Sequence, residues 1–183
     1  MSVRQTYSGA AGEDYQLAKH GLPGDAPVYA WISEARARKL RKWIRPRDSV
    51  LEFGIGAGWN LARLDCERKV GFDVSTLHRD WIEKQGVHFL DDESEIPLAS
   101  FDVVVCHHVL EHLSDPSSAL ERMRGWLRPQ GTLVVFVPFE FERRFSRYRR
   151  DDSDHHMFSW NVQTMDESPD VTIAPLMSRT KET

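Results

Sequence analysis

From residue 49 onward the apolar positions fall in short, nearly continuous blocks, with little alternation of apolar and polar residues. Ser49 to Phe53, Val70 to Phe72, Val87 to Leu90, Asp102 to Cys106 and Thr132 to Val137 are each too short for a typical helix and read as strands. Between them lie segments with helical spacing: Trp59 to Leu64, Leu77 to Lys84, and a stretch opened by Asp115-Pro116 that runs through Trp126-Leu127. Aspartate caps a helix and proline fits just inside its start. An earlier helix is expected after Asp25, with Pro27 in its first turn, an apolar face through Ile32, Leu40, Trp43 and Ile44, and a stop at Pro46. Strands that are apolar throughout and separated by helices predict an α/β fold, a doubly wound and mostly parallel sheet covered on both faces.

The ends of the chain depart from this rhythm. Residues 1–24 read as a polar N-terminal lead and residues 25–183 as a single domain. After the fifth strand, Asp170 to Leu176 offers one short strand, and Pro175 with the polar ending Ser178 to Thr183 discourages another. The sheet is therefore expected to be truncated at its C-terminal edge. An unpaired fifth strand there would invite pairing with a second copy, a homodimer through the sheet edge.

Composition narrows the class. The chain has 183 residues, 40% hydrophobic and 28% charged, as in ordinary globular domains. Its net charge of -4 speaks against a dedicated nucleic-acid binder, whose footprint is usually basic. No apolar run reaches the roughly 20 residues of a membrane span. The two cysteines, Cys66 and Cys106, make no disulfide framework, and a reducing cytoplasmic setting is expected.

The chemistry starts at Glu52-Phe53-Gly54-Ile55-Gly56-Ala57-Gly58, which follows a strand and precedes a helical segment. Glycines there allow a tight turn and let backbone N–H groups approach a ligand with no Cβ in the way. Asp73 lies about 20 residues after Gly54, at the end of the next strand, where a carboxylate can accept from both hydroxyls of a ribose. Trp59 stands where a dinucleotide fingerprint wants a small residue, which disfavours an NAD-type oxidoreductase.

These residues resemble a known family. Val50 to Gly58 looks like the first motif of the class I S-adenosylmethionine-dependent methyltransferases, and Gly71-Phe72-Asp73-Val74-Ser75 resembles their second. Asp92 to Leu98 is similar to their acidic segment. Phe101 to Val105 followed by His107-His108-Val109-Leu110-Glu111-His112 looks like their fourth strand and its loop. Leu127-Arg128-Pro129-Gln130-Gly131 resembles the turn before the fifth strand, with Gln130 in place of a glycine. The resemblance implies a Rossmann-like methyltransferase core and S-adenosylmethionine as cofactor. It implies Glu52 near the methionine end, the backbone of Gly54, Gly56 and Gly58 along the ligand, Asp73 on the ribose, and His107 beneath the methionine part. Asp92 would take the adenine amino group, with Asp91 or Glu93 in its place if the strand ends one residue away.

Other polar clusters are open to more than one reading. His108 and His112 have the spacing of two ligands on one helical face, but Glu111 is expected to point elsewhere and His155-His156 to lie far off, so no metal site is expected. His155 and His156 follow the fifth strand on the crevice side and are candidates for a general base. The arginine-rich stretch Arg143 to Arg150 reads first as a solvated face balanced by Asp151, Asp152 and Asp154. The expected activity is methyl transfer to a small-molecule, lipid- or sugar-linked acceptor, with nucleic acid not expected as a partner. The short C-terminal region makes a cofactor-binding or regulatory domain without turnover the alternative.

Overall fold

The computed structural model describes residues 7–21, 27–138, 156–158, 160 and 171–173. The strands are β1 (Ser49–Phe53), β2 (Arg68–Phe72), β3 (His88–Leu90), β4 (Phe101–His107), β5 (Leu127–Phe136) and β6 (Val171–Ile173). They form one sheet in the order β3-β2-β1-β4-β5-β6, and every pairing is parallel. The fold class read from the pattern is the one observed. The chain order reverses between β1 and β4, which opens a crevice at their C-terminal ends.

Two apolar cores explain why the strands carry little alternation. Along β4, Val103 and Val105 face one core with Leu40, Leu61 and Ile82, whereas Val104 and Cys106 face the other with Met123, Trp126 and Leu133. Residues alternate between faces with period two, and both faces are covered. Glu52 interrupts β1 and is 1% exposed. A carboxylate held in such a core is expensive unless something requires it.

The described helices are α1 (Gly9–His20), α2 (Pro27–Leu40), α3 (Arg79–Lys84) and α4 (Pro116–Trp126). In α4 the Asp115 side chain accepts from the Ser118 N–H at 3.0 Å and Pro116 opens the helix, as its sequence implies. Helix α2 ends before Ile44. Beyond Leu40 the chain closes with bonds from the Arg41 N–H to the Ala37 carbonyl and from the Trp43 N–H to the Leu40 carbonyl, a tightened last turn.

Three corrections follow. Trp59 to Leu64 is a run of turns, not a helix. Gly58 immediately before it has φ +76°, so the chain enters from a left-handed residue, and only the bond from the Ala62 N–H to the Gly58 carbonyl has helical spacing. The polar lead contains α1, which sequence periodicity missed because its apolar face is weak. It ends at Gly21, whose φ is +66° and whose N–H bonds the Leu17 carbonyl at 2.9 Å. Finally, β6 pairs with β5 through Leu133–Val171, Val134–Thr172 and Val135–Ile173. That edge of the fifth strand is taken by this chain itself, which removes the argument for a homodimer through it.

The turn expected before the fifth strand also takes an unexpected form. Leu127 already pairs with Phe101, and the register then jumps so that Val103 meets Thr132. The intervening Arg128-Pro129-Gln130-Gly131 bulges out, with Gln130 at φ +66° and Arg128 bonded to Asp102 at 2.7 Å. Gln130 thus adopts the conformation that the family's glycine would adopt freely.

Candidate active site

Above the C-terminal ends of β1 to β4 lies a cavity of about 710 Å³. The chain delivers one polar group from nearly every strand end to it. Glu52 and the glycine turn come from β1, Asp73 from β2, Asp91-Asp92-Glu93 from β3 and His107 from β4.

Glu52 sits deepest. Its Oε1 accepts a very short bond from the Asn60 side chain, and its buried Oε2 has no partner among the described residues. Burial pushes its carboxyl up to about 8, although Asn60 and the Arg36 guanidinium pull the other way. Arg36 reaches over from α2 and lies 5.1 Å from the Trp59 ring.

Asp73 is held by the loop it faces. Its Oδ2 accepts from the Gly56 N–H at 2.8 Å and its Oδ1 from the Ser75 N–H at 3.0 Å. Burial raises its carboxyl, and these N–H groups offset part of the rise. The glycines meet different surroundings. Gly54 has φ +78°, and a Cβ there would run into the Val109 side chain. Gly56 has φ +54°, and its Cβ would lie 3.4 Å from His20 Nε2. Gly58 does not line the cavity. Its Cβ would press on Ile82 at 2.9 Å, so packing accounts for that glycine.

The acidic segment resolves into three tasks. Asp91 pairs with Arg79 at 2.7 Å and Glu93 with Arg122 at 2.5 Å, while Asp92 caps a short 3-10 turn by accepting from the Ser94 N–H at 2.9 Å. All three reach the cavity wall, and two are already tied to arginines. His107 packs between His108 and Phe136, with ring centroids 4.6 and 4.9 Å away. Burial first, and then the neighbouring Arg36 guanidinium, hold its imidazole far below the usual range, so it is neutral.

Helix α1 supplies a wall that sequence reasoning did not foresee. Tyr7 and Tyr15, with ring centroids 4.8 Å apart, and Gln16, Lys19 and His20 all face the cavity. His20 stacks edge-on to Trp59 at 4.9 Å, and burial with nearby Arg36 lowers it to about 4. The available signal was Tyr15, Gln16, Lys19 and His20, whose spacing puts them on one helical face in an otherwise polar segment.

Of the two candidate bases, His155 lies outside the described residues, as does Arg143 to Arg150. His156 is half-buried on the cavity wall, brought there by the Met157 N–H bonding the Glu111 carbonyl at 2.8 Å. This corrects the expectation that Glu111 points elsewhere and that His156 is distant. Ligand atoms of Glu111, His112 and His156 lie within 4.8 Å of one another.

The sequence matches the methyltransferase-domain family over residues 29–167. This chain belongs to the class I S-adenosylmethionine-dependent methyltransferases. Among curated proteins it is similar to the tRNA U34 carboxymethyltransferase of Shewanella denitrificans, 31% identical over 131 residues. That alignment covers 63% of this chain and 39% of the relative, so the methyltransferase chain spans well under half of that protein's length. Among solved structures, a methyltransferase from Bacillus halodurans aligns with a TM-score of 0.53 at 18% identity, over 61% of this chain and 54% of that one. Magnesium protoporphyrin IX methyltransferase from Synechocystis, solved with bound SAH, aligns with a TM-score of 0.52 at 16% identity, over 68% and 66%. At these identities the structural likeness speaks for the fold.

The relatives overturn one expectation. Net charge sets nucleic acid aside as a partner, and curated relatives named for tRNA modification bring it back, while none of those names supports a small-molecule acceptor. Charge summed over a methyltransferase domain says little about what its pocket admits. No helix among the described residues is long and apolar enough to cross a membrane.

Proposed function

We propose that this chain binds S-adenosylmethionine in the 710 Å³ crevice and transfers its methyl group to a nucleic-acid acceptor, with transfer RNA the leading class. The carrying observation is Oε2 of Glu52, buried beside the glycine turn with no hydrogen-bond partner among the described residues. The ammonium of the cofactor's methionine part is the group that this carboxylate suits. Gly54 and Gly56 leave backbone where no Cβ fits, Asp73 stands at the ribose position, Asp92 at the adenine and His107 beneath the methionine part.

When bound, the cofactor supplies a methyl group on a sulfonium, an electrophile that asks mainly for in-line approach of the acceptor. The protein's share is then orientation and exclusion of water. The wall of Tyr7, Tyr15, Lys19 and Arg36 suits a base that stacks on rings and a phosphate that seeks cations. The names of the tRNA-modifying relatives support that acceptor class.

The test is transfer of labelled methyl from S-adenosylmethionine to bulk transfer RNA and, in parallel, to a protein-free metabolite extract. Label in the RNA supports the proposal. Label confined to small molecules overturns the acceptor, and cofactor binding without label in either overturns the proposed turnover.

A further inference from the structure

We propose that Glu111, His112 and His156 form a binding site for a divalent transition-metal ion, such as Zn²⁺, on the wall of the same cavity. Glu111 and His112 are neighbours in the chain and His156 lies over forty residues on, yet the ligand atoms of all three lie within 4.8 Å of one another. Two imidazoles and one carboxylate are a donor set that binds zinc and other first-row divalent ions, leaving coordination positions open.

Four observations carry the proposal. Glu111 is 0% exposed, and neither carboxylate oxygen has a hydrogen bond among the described residues. The imidazole nitrogen His108 Nδ1 stands 3.3 Å from one oxygen. A buried carboxylate without hydrogen bonds is costly, and a bound cation would offset that cost. The His112 ring is oriented by the Tyr7 hydroxyl, 2.9 Å from its Nδ1, and an outer partner of this kind is usual for a metal-ligating imidazole. The backbone bond from the Met157 N–H to the Glu111 carbonyl pins the segment that brings His156 to the cluster. All three residues line the cavity, so the open positions of the ion would face an incoming acceptor.

Zinc–ligand bonds of about 2.0–2.2 Å place ligand atoms roughly 3.5 Å apart. The cluster therefore needs to contract by about 1.3 Å at most, within the reach of side-chain rotation. The ion would hold an oxygen or nitrogen of the acceptor as a Lewis acid, and the acceptor itself would form no covalent bond to the protein.

The full-length chain, stripped with a chelator, is titrated with Co²⁺ by visible absorption and with Zn²⁺ by calorimetry, without S-adenosylmethionine. One equivalent should bind, with cobalt d–d bands of nitrogen–oxygen coordination. Glu111→Gln and His156→Ala should each weaken binding at least about 10-fold, the scale seen even for outer partners. His88→Ala, at an exposed histidine of β3, should leave it unchanged. Circular dichroism checks that each variant folds, and if Glu111→Gln does not, His156→Ala decides. Absence of the bands, or binding that survives loss of His156, overturns the site. Because the readout needs neither cofactor nor turnover, failure here is separable from failure of the proposed function.

Discussion

The Asn60 side chain donates to Oε1 of Glu52 and leaves Oε2 of the same carboxylate unpaired in the core. A group so placed weakens the cofactor-free protein, and the ammonium of the proposed cofactor would offset that cost. Glu52→Gln keeps the acceptor for Asn60 and removes the charge. At pH 8.5, thermal unfolding of the cofactor-free variant should come at a higher temperature than the parent. S-adenosylmethionine should bind roughly 10- to 150-fold more weakly, the loss of about 1.5–3 kcal/mol expected for a charged hydrogen bond. Equal affinity would remove Glu52 from the site.

The raised carboxyl of Glu52 also sets a pH dependence. In the unfolded chain it titrates near 4.5, and in the fold near 8. Between these values the folded state binds more protons, so stability falls as pH rises and the loss is complete above the folded value. His20 works in the opposite direction, but lowered to about 4 it affects stability only below about 6.5. From about pH 6.5 to 8 His20 no longer contributes, and comparison with Glu52→Gln separates Glu52 from Asp73, whose carboxyl burial also raises. Denaturant unfolding of the cofactor-free protein should lose stability across it, and Glu52→Gln should flatten the slope. In the same window, cofactor binding should release a proton, read by calorimetry in buffers of different ionisation enthalpy.

The two glycines of the turn separate packing from binding. Gly54→Ala puts a Cβ into Val109 at a positive φ and should destabilise the fold by more than about 1 kcal/mol. Gly56→Ala carries the same positive-φ strain but meets only the ends of His20 and Gln16, so it should cost less stability than Gly54→Ala while binding the cofactor more weakly. Comparing melting temperatures with cofactor affinities checks both, and the reverse ranking in stability would contradict the packing argument.

Asp73→Asn keeps an acceptor for one of the two backbone N–H groups of Gly56 and Ser75, while Asp73→Ala removes both. Both variants should weaken S-adenosylmethionine, the alanine by roughly 10- to 150-fold, and the alanine should also loosen the turn. Hydrogen exchange at Gly56 separates the two effects. An unchanged dissociation constant in both would place the ribose elsewhere.

Sequence alone revealed those parts of the fold that depend on local chemistry. β1 to β4, the capped α4 and the acids at the strand ends were legible because blocks of apolar residues, Asp115-Pro116 and the glycine turn each act within a few residues. What depends on distance was hidden. Helix α1 has a weak apolar stripe, and its rings face the cavity only because the sheet stands beneath them. Spacing alone points Glu111 away from the two histidines, yet a 3-10 turn over Leu110–His112 buries it completely. His156 reaches it through one backbone bond that no spacing announces.

The account rests on S-adenosylmethionine as the ligand of the crevice, and parallel calorimetric titrations of the full chain with S-adenosylmethionine and NAD address that directly. One S-adenosylmethionine per chain with no heat from NAD is the result expected, and the affinity should fall in Glu52→Gln. Binding of NAD with none of S-adenosylmethionine would contradict the account.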